Sequence, residues 1–248
     1  MNLQDFFVSH PETAVAFSGG ADSAYLLYAA GKYAENVRAY YVKSEFQPRF
    51  ELEDAVRLAG ELGVALTVLE LSVLSVPCVK ENPSERCYYC KRAIFTAIAE
   101  AARSDGFSIL LDGTNASDDA QDRPGMRALR ELNVRSPLRE CGLTKDEIRR
   151  LSKEAGLFTW DKPAYACLAT RIPAGEEITP EKLRITEQAE DYLLSLGFSD
   201  FRVRWQDGFA KLQLPLGQME PLLARRGEVL AKLKEYYKGV LLDLEVRQ

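Results

Sequence analysis

Apolar and polar positions alternate in blocks along the first two thirds of the chain. "TAVAF" (13–17) is a short apolar run that predicts a buried strand, and "SAYLLYAAGKYA" (23–34) continues as a helix. "VRAYYVK" (37–43) predicts a second strand. Over 50–62, Leu52, Val56, Ala59 and Leu62 recur at helical spacing, and Gly63 marks the stop. "ALTVLEL" (65–71) is a third strand, 90–104 a helix, and "FSILLDGTN" (107–115) a fourth strand. This βαβα rhythm predicts a parallel sheet covered by helices on both faces. "NVRSPLREC" (133–141) reads as a fifth, shorter strand. "LTKDEIRRLSKEAG" (143–156) is a helix with Thr144 as N-cap, Glu147 completing a capping box and Gly156 at its end.

The rhythm then changes. A long stretch, "LFTWDKPAYACLATRIPAGEEITP", carries Pro163, Pro173 and Pro180 and reads as a junction. Beyond it the pattern gives a helix at 180–196, strands at 201–206 and 209–214, a helix at about 217–236 and a strand at 239–246. The expected organisation is an α/β domain over 1–175 and a small α+β domain over 176–248, the latter for substrate binding or contact between copies in a homo-oligomer.

Composition narrows the function class. Hydrophobic residues are 46% and charged residues 28% of the 248, ordinary values for a globular protein. The N-terminal stretch lacks a basic region followed by an apolar run, and no apolar segment approaches the roughly 20 residues that span a bilayer. A cytoplasmic enzyme without a membrane partner is expected. The net charge of −5 argues against a nucleic-acid partner. Five cysteines, an odd number, argue against a disulfide framework and for reduced thiols or metal ligands.

Two sets of residues carry candidate chemistry. The first is "SGGADS" (18–23), placed between a strand and a helix. Gly19 and Gly20 let the backbone approach a ligand, and the helix start offers free N–H groups and a positive end. Ser18 and Ser23 add hydroxyls. Asp22 would repel a phosphate but suits a magnesium ion bridging phosphates. The loop matches neither the dinucleotide nor the Walker pattern. It resembles the S-G-G-x-D-S loop of the ATP pyrophosphatases, which grips the β- and γ-phosphates while ATP is cut between α and β. By that resemblance "YVKSE" (41–45), with Val42 and Ser44, cups the adenine. "LDGTN" (111–115), with Gly113, Thr114 and Asn115, approaches the ribose and α-phosphate. The plainer alternative is a set of capped turns.

The second set is the cysteines. Cys87 and Cys90 stand at C-x-x-C spacing in "ERCYYCKRAIF", and Cys167 lies in "PAYACLATRIP". The pair could hold a metal, form a redox disulfide or be inert. Tetrahedral zinc takes four ligands, whereas three thiolates suit a [4Fe–4S] cluster with one open iron. Together with the loop, "NPSERCYYCK", "DGTNASDDAQDRPGMRAL", "NVRSPLRECGLTKDEIR" and "WDKPAYACLATRIPAGEEIT" resemble the LarE family of ATP-dependent sulfur transferases in nickel-pincer nucleotide biosynthesis. The resemblance covers about 14–183 and extends to "FRVR" (201–204). It implies a PP-loop fold, ATP and Mg2+, and a pyridinium carboxylate mononucleotide as small-molecule substrate. The carboxylate is adenylated, pyrophosphate leaves, and sulfur displaces AMP to give a thiocarboxylate. AMP is a far better leaving group than oxide. Some members sacrifice the cysteine at the position of Cys167. Those with the extra C-x-x-C hold a cluster through cysteines at the positions of Cys87, Cys90 and Cys167, and this sequence has the pair. The resemblance leaves the sulfur donor unnamed.

The same resemblance makes Arg202 and Arg204 ligands of the substrate phosphate; alternating on a strand, they share one face. Related sequences carry a glutamate in that region; the nearest equivalent here is Gln213, so the resemblance does not carry a metal-binding role to this position. Arg123, Arg127, Arg130 and Arg135 form either a solvated helix face or a phosphate or oligomer contact. His10 is expected to be structural, Cys78 a loop residue and Cys141 a packing residue. Lys162 is either a phosphate contact or exposed. Two rivals remain: a tRNA-thiolating relative, and a nucleotide- and metal-binding sensor that does not release pyrophosphate.

Overall fold

The computed structural model describes residues 1–118, 124–163 and 165–246. The chain divides into two compact units: Met1–Val79 with Glu85–Tyr165, and Lys80–Ser84 with Ala166–Gln248.

The first unit holds α1 (Leu3–Ser9), β1 (Glu12–Ala16), α2 (Ala21–Tyr33), β2 (Asn36–Lys43), α3 (Arg49–Leu62) and β3 (Ala65–Glu70). After α4 (Pro77–Lys80) come α5 (Arg86–Ser104), β4 (Leu110–Leu111), α6 (Pro124–Glu131), α7 (Pro137–Glu140) and α8 (Lys145–Glu154). The strands form a parallel sheet in the order β3-β2-β1-β4. Period-two alternation sends their side chains to opposite cores. Val15, Phe17, Ala39 and Tyr41 pack with α1, α2 and α3, while Ala14, Tyr40 and Val42 pack with α5. This is the doubly covered α/β arrangement expected of a PP-loop domain. At β1 the chain turns to β2 on one side and to β4 on the other, so the crevice at their C-terminal ends is a topological switch point.

Several expectations change in detail. On α3 the buried face is Ala55, Leu58 and Ala59, and Val56 is 52% exposed. Small alanines mark that face, and Val56 lies about a quarter turn from its centre. The fourth strand pairs only over Leu110–Leu111, and the segment after it becomes a loop. The fifth strand is reduced to one bridge, Leu111 with Arg135; Pro137 then starts α7, its fixed φ suiting a first helical turn. Cys78 lies in α4, not in a loop. The capping box of Thr144 and Glu147 forms as expected.

The second unit contains α9 (Pro180–Ser195), β5 (Arg202–Gln206), β6 (Phe209–Gln213), α10 (Leu216–Ala224), α11 (Arg226–Leu233) and β7 (Val240–Leu242). Its sheet has the order β5-β6-β7, with β5 and β6 antiparallel across the positive-φ turn Asp207-Gly208. The single helix expected at 217–236 is two, because Arg225 leaves helical geometry and donates to Leu196 O at 2.8 Å. Among the described residues no helix is long and apolar enough to cross a membrane.

Candidate phosphate-binding site and cysteines

The turn after β1 is built by its own side chains. Ser18 and Ser23 hydroxyls lie 3.0 Å apart, Ser18 N–H donates to Ser23 Oγ at 3.3 Å, and Ser23 Oγ–H donates to Gly20 O at 3.1 Å. Gly19 has φ +75, and a Cβ there would stand 3.0 Å from Glu51 O on α3, so the turn needs glycine. Gly20 caps α2 with no side-chain hydrogen bond to the first N–H groups. Those groups are therefore available to an anion.

The segment after β4 is pressed against this turn. A Cβ on Gly113 would be 2.8 Å from Ser23 N. Buried Asp112 holds the segment, accepting Thr114 Oγ and Ser136 Oγ, each at 2.5 Å. Thr114 and Asn115 are buried. Asn115 N–H donates to Asp118 at 3.0 Å, and its side-chain oxygen accepts Ser117 N–H at 2.8 Å. Asn115 also bonds the Asp22 carboxylate.

Asp22 carries the site's electrostatics. Its Oδ1 is buried without a hydrogen-bond partner. Burial first, and the Asp118 carboxylate second, push its pKa above the ordinary carboxylate value; Lys145, Asn115 and Arg149 oppose them. An orphaned carboxylate oxygen at a helix start whose first N–H groups carry no side-chain cap fits a divalent cation that carries phosphates. Lys145 and Arg149, which the sequence pattern does not single out, complete this environment. They stand four apart on α8, which packs on α2. Lys145 N–H donates to Ser117 Oγ at 3.0 Å. Arg149 donates to Lys162 O at 3.3 Å, and its Nε is buried without a hydrogen bond. Lys162 is not simply exposed: its ammonium pairs with Asp54 on α3.

At the end of β2, Val42 and Ser44 are both buried. Ser44 N–H and Oγ–H donate to Gln47 Oε1 at 3.0 and 2.6 Å. The three strand ends thus bring the expected loop residues to one edge of the sheet.

Cys87 and Cys90 sit on the first turns of α5, which starts at Arg86, four residues before the predicted start. Three apart, they share a helix face. Cys87 is exposed, and Arg86 Nη2 lies 3.8 Å from its sulfur. Cys167 belongs to the second unit, ahead of the turn Leu168–Arg171. None of the five cysteines forms a disulfide. Three thiols are the donor class a cluster needs. Among the described residues no group of three or more His, Cys, Asp or Glu forms a ligand set. Burial pushes the Cys141 thiol up, consistent with packing.

In the second unit Arg202 is buried and donates to Phe201 O at 2.6 Å. Arg204 donates to Thr170 O at 2.7 Å and to Gln213 Oε1, and Gln213 in turn donates to Asp243 at 2.7 Å. The basic cluster divides. Arg127 pairs with Glu85 and stacks on Tyr88. Arg135 pairs with Glu140 and meets His10 at 3.0 Å, so His10 is structural. Arg123 lies outside the described residues.

No family model matches the sequence. An uncharacterised protein of Synechocystis sp. is 36% identical over 98% of this chain and 92% of its own length. The pyridinium-3,5-bisthiocarboxylic acid mononucleotide synthase of Lactiplantibacillus plantarum is 34% identical over 93% of this chain and 84% of its own. A tRNA-specific 2-thiouridylase of Thermotoga sp. is 26% identical over 61% of this chain and 54% of its own.

Proposed function

Since this chain belongs to the LarE family, that of the pyridinium-3,5-bisthiocarboxylic acid mononucleotide synthase, we propose that it is an ATP-dependent sulfur transferase acting on a pyridinium carboxylate mononucleotide. The observation that carries the reading is the orphaned Asp22 oxygen in the SGGADS turn, beside Lys145 and Arg149. A carboxylate with one orphaned oxygen at a helix start suits a Mg2+–triphosphate.

In this reading Ser18, Gly19, Gly20 and Ser23 hold the β- and γ-phosphates. Asp22 holds Mg2+, which supplies charge neutralisation. Val42 and Ser44 face the adenine; Gly113, Thr114 and Asn115 face the ribose and α-phosphate. The substrate carboxylate attacks the α-phosphorus, pyrophosphate leaves, and the acyl-adenylate accepts a sulfur nucleophile with loss of AMP. Arg202 and Arg204 bind the substrate phosphate, and residues 176–248 serve as the substrate domain. Cys87, Cys90 and Cys167 would hold a [4Fe–4S] cluster, which when bound supplies sulfide at an iron without a protein ligand. The matched length favours this substrate over tRNA: the synthase aligns over more of both chains than the thiouridylase does.

Incubation with ATP, Mg2+ and a pyridinium carboxylate nucleotide should give AMP and pyrophosphate. ADP and phosphate would overturn the assignment, and ATP binding without cleavage would favour the sensor. Anaerobic reconstitution with iron and sulfide should give a brown protein, and each of Cys87→Ala, Cys90→Ala and Cys167→Ala should lose the colour. Loss of one hydrogen sulfide from Cys167 after a single turnover, with the Cys87→Ala, Cys90→Ala double variant still active, would establish the sacrificial route instead.

A further inference from the structure

The backbone around Cys167 is held more tightly than a surface loop needs. Its carbonyl accepts Thr170 N–H at 3.0 Å and Thr170 Oγ–H at 2.8 Å. Arg171 Nη1 donates to Ala166 O at 2.7 Å and to Thr170 Oγ at 2.9 Å, and lies 3.4 Å from Cys167 O. The Arg171 side chain is 0% exposed and that of Glu190, on α9, is 4% exposed. The two meet in a fork, Nε to Oε1 at 2.8 Å and Nη2 to Oε2 at 2.9 Å. Glu190 Oε1 also accepts Val203 N–H on β5 at 2.9 Å.

Two routes of hydrogen bonds therefore run from Cys167 to β5. One passes through Arg171 and Glu190 to Val203. The other passes through Thr170, whose carbonyl accepts Arg204. A buried ion pair adds little net stability over an apolar pair of the same volume. What the guanidinium adds is geometry: its rigid fork of donors reaches a carboxylate, a hydroxyl and backbone carbonyls at once.

We propose that Arg171 and Glu190 are positioning residues that fix the Cys167 backbone to the strand bearing Arg202 and Arg204, so that the thiol is delivered at a set place relative to the bound substrate phosphate. The proposal rests on the reading of Cys167 as the sulfur-handling residue. The pair does not touch the substrate; it acts through the backbone it holds.

The test uses the full-length chain carrying Glu190→Gln, Arg171→Lys or Thr170→Val. Glu190→Gln keeps the shape but not the charge, Arg171→Lys keeps the charge but not the fork, and Thr170→Val lies outside the ion pair. ATP affinity and the melting profile identify variants that remain folded. In chelator-treated protein, alkylation of Cys167 by iodoacetamide, mapped by peptide mass spectrometry, should be several-fold faster in Glu190→Gln and Arg171→Lys than in the parent. Alkylation of Cys87 serves as the internal reference. Sulfur transfer per adenylate formed should fall by about tenfold to a hundredfold, the usual cost of a small misplacement. Parental alkylation and transfer rates in folded variants would overturn the proposal, as would a loosened Cys167 that still transfers sulfur at the parental rate. If the ion-pair variants do not fold, Thr170→Val decides by the same two readouts, because it removes the hydroxyl that joins Arg171 to the Cys167 carbonyl and should likewise speed alkylation and slow transfer. A parent that forms no adenylate defeats the functional reading instead, and the alkylation comparison still decides whether the pair fixes Cys167.

Discussion

Burial, and behind it the Asp118 carboxylate, raise the proton affinity of Asp22. A carboxyl whose folded pKa is raised favours the folded state when protonated. Its penalty is absent below the unfolded carboxylate pKa, grows as pH rises from there to the folded value, and is complete above it. Asp22→Asn should therefore raise Tm at neutral pH, give little gain near about pH 3, and abolish AMP formation. A lower Tm than the parent at pH 7 would show the carboxylate to be a net stabiliser. Arg204 gives a second forecast at this scale. Each charge-assisted phosphate bond is worth about 1.5–3 kcal/mol, so Arg204→Ala should weaken substrate nucleotide binding about tenfold or more. ATP affinity should hold; equal loss of both, by calorimetry, would place Arg204 in the ATP site or in the fold. The loop residues were legible in the sequence because glycine, serine and aspartate each announce a role at a strand–helix junction. Lys145 and Arg149 were not, because on an amphipathic helix they read as a solvated face until the packing of α2 on α8 brings them to Asp22.

In the proposed reading the helix α8 joins folding to ATP binding. Thr144 caps it, and Lys145 and Arg149 stand on its first two turns. Thr144→Ala should cost about 1 kcal/mol of stability and also weaken ATP binding. Thr179 caps α9 in the other unit, and Thr179→Ala should cost a similar amount without the loss of ATP affinity. Equal effects of the two on ATP affinity would separate α8 from the site. The β4 segment makes the complementary forecast. Gly113→Ala would drive a methyl into Ser23 backbone and should weaken ATP binding more than it lowers Tm. The alternating strands and the capped helix were legible because period and caps are local properties. The shortness of β4 was not, since an apolar run does not say where ladder pairing stops and a loop begins. Nor was the break at Arg225, whose partner Leu196 is far away in sequence.

At the scale of the whole molecule, the short strap Lys80–Ser84 belongs to the second unit although most of the chain around it belongs to the first. Asn82 anchors it. It is fully buried at φ 56, and its amide donates to the carbonyls of Pro173 at 2.7 Å and Glu176 at 3.1 Å. Backbone bonds from Gly175 to Asn82 O and from Ile178 to Lys80 O flank it. Asn82→Ala leaves the carbonyls of Ile172, Pro173 and Glu176 without that donor and should destabilise the second unit by about 1–3 kcal/mol. With Trp160→Phe as background, Trp205 fluorescence reads that unit's unfolding; an unchanged denaturation midpoint would mean that the strap merely rests there. The strap also sets a clock. Asn82 leaves the ribosome 90 residues before Ile172, against whose carbonyl it packs. At ordinary rates of synthesis that is a wait of roughly 5–20 s. Throughout it, the segment just ahead of Cys87 has no partner to fold onto, and a nascent chain paused in this interval should be cut by protease at the strap while the finished protein is spared.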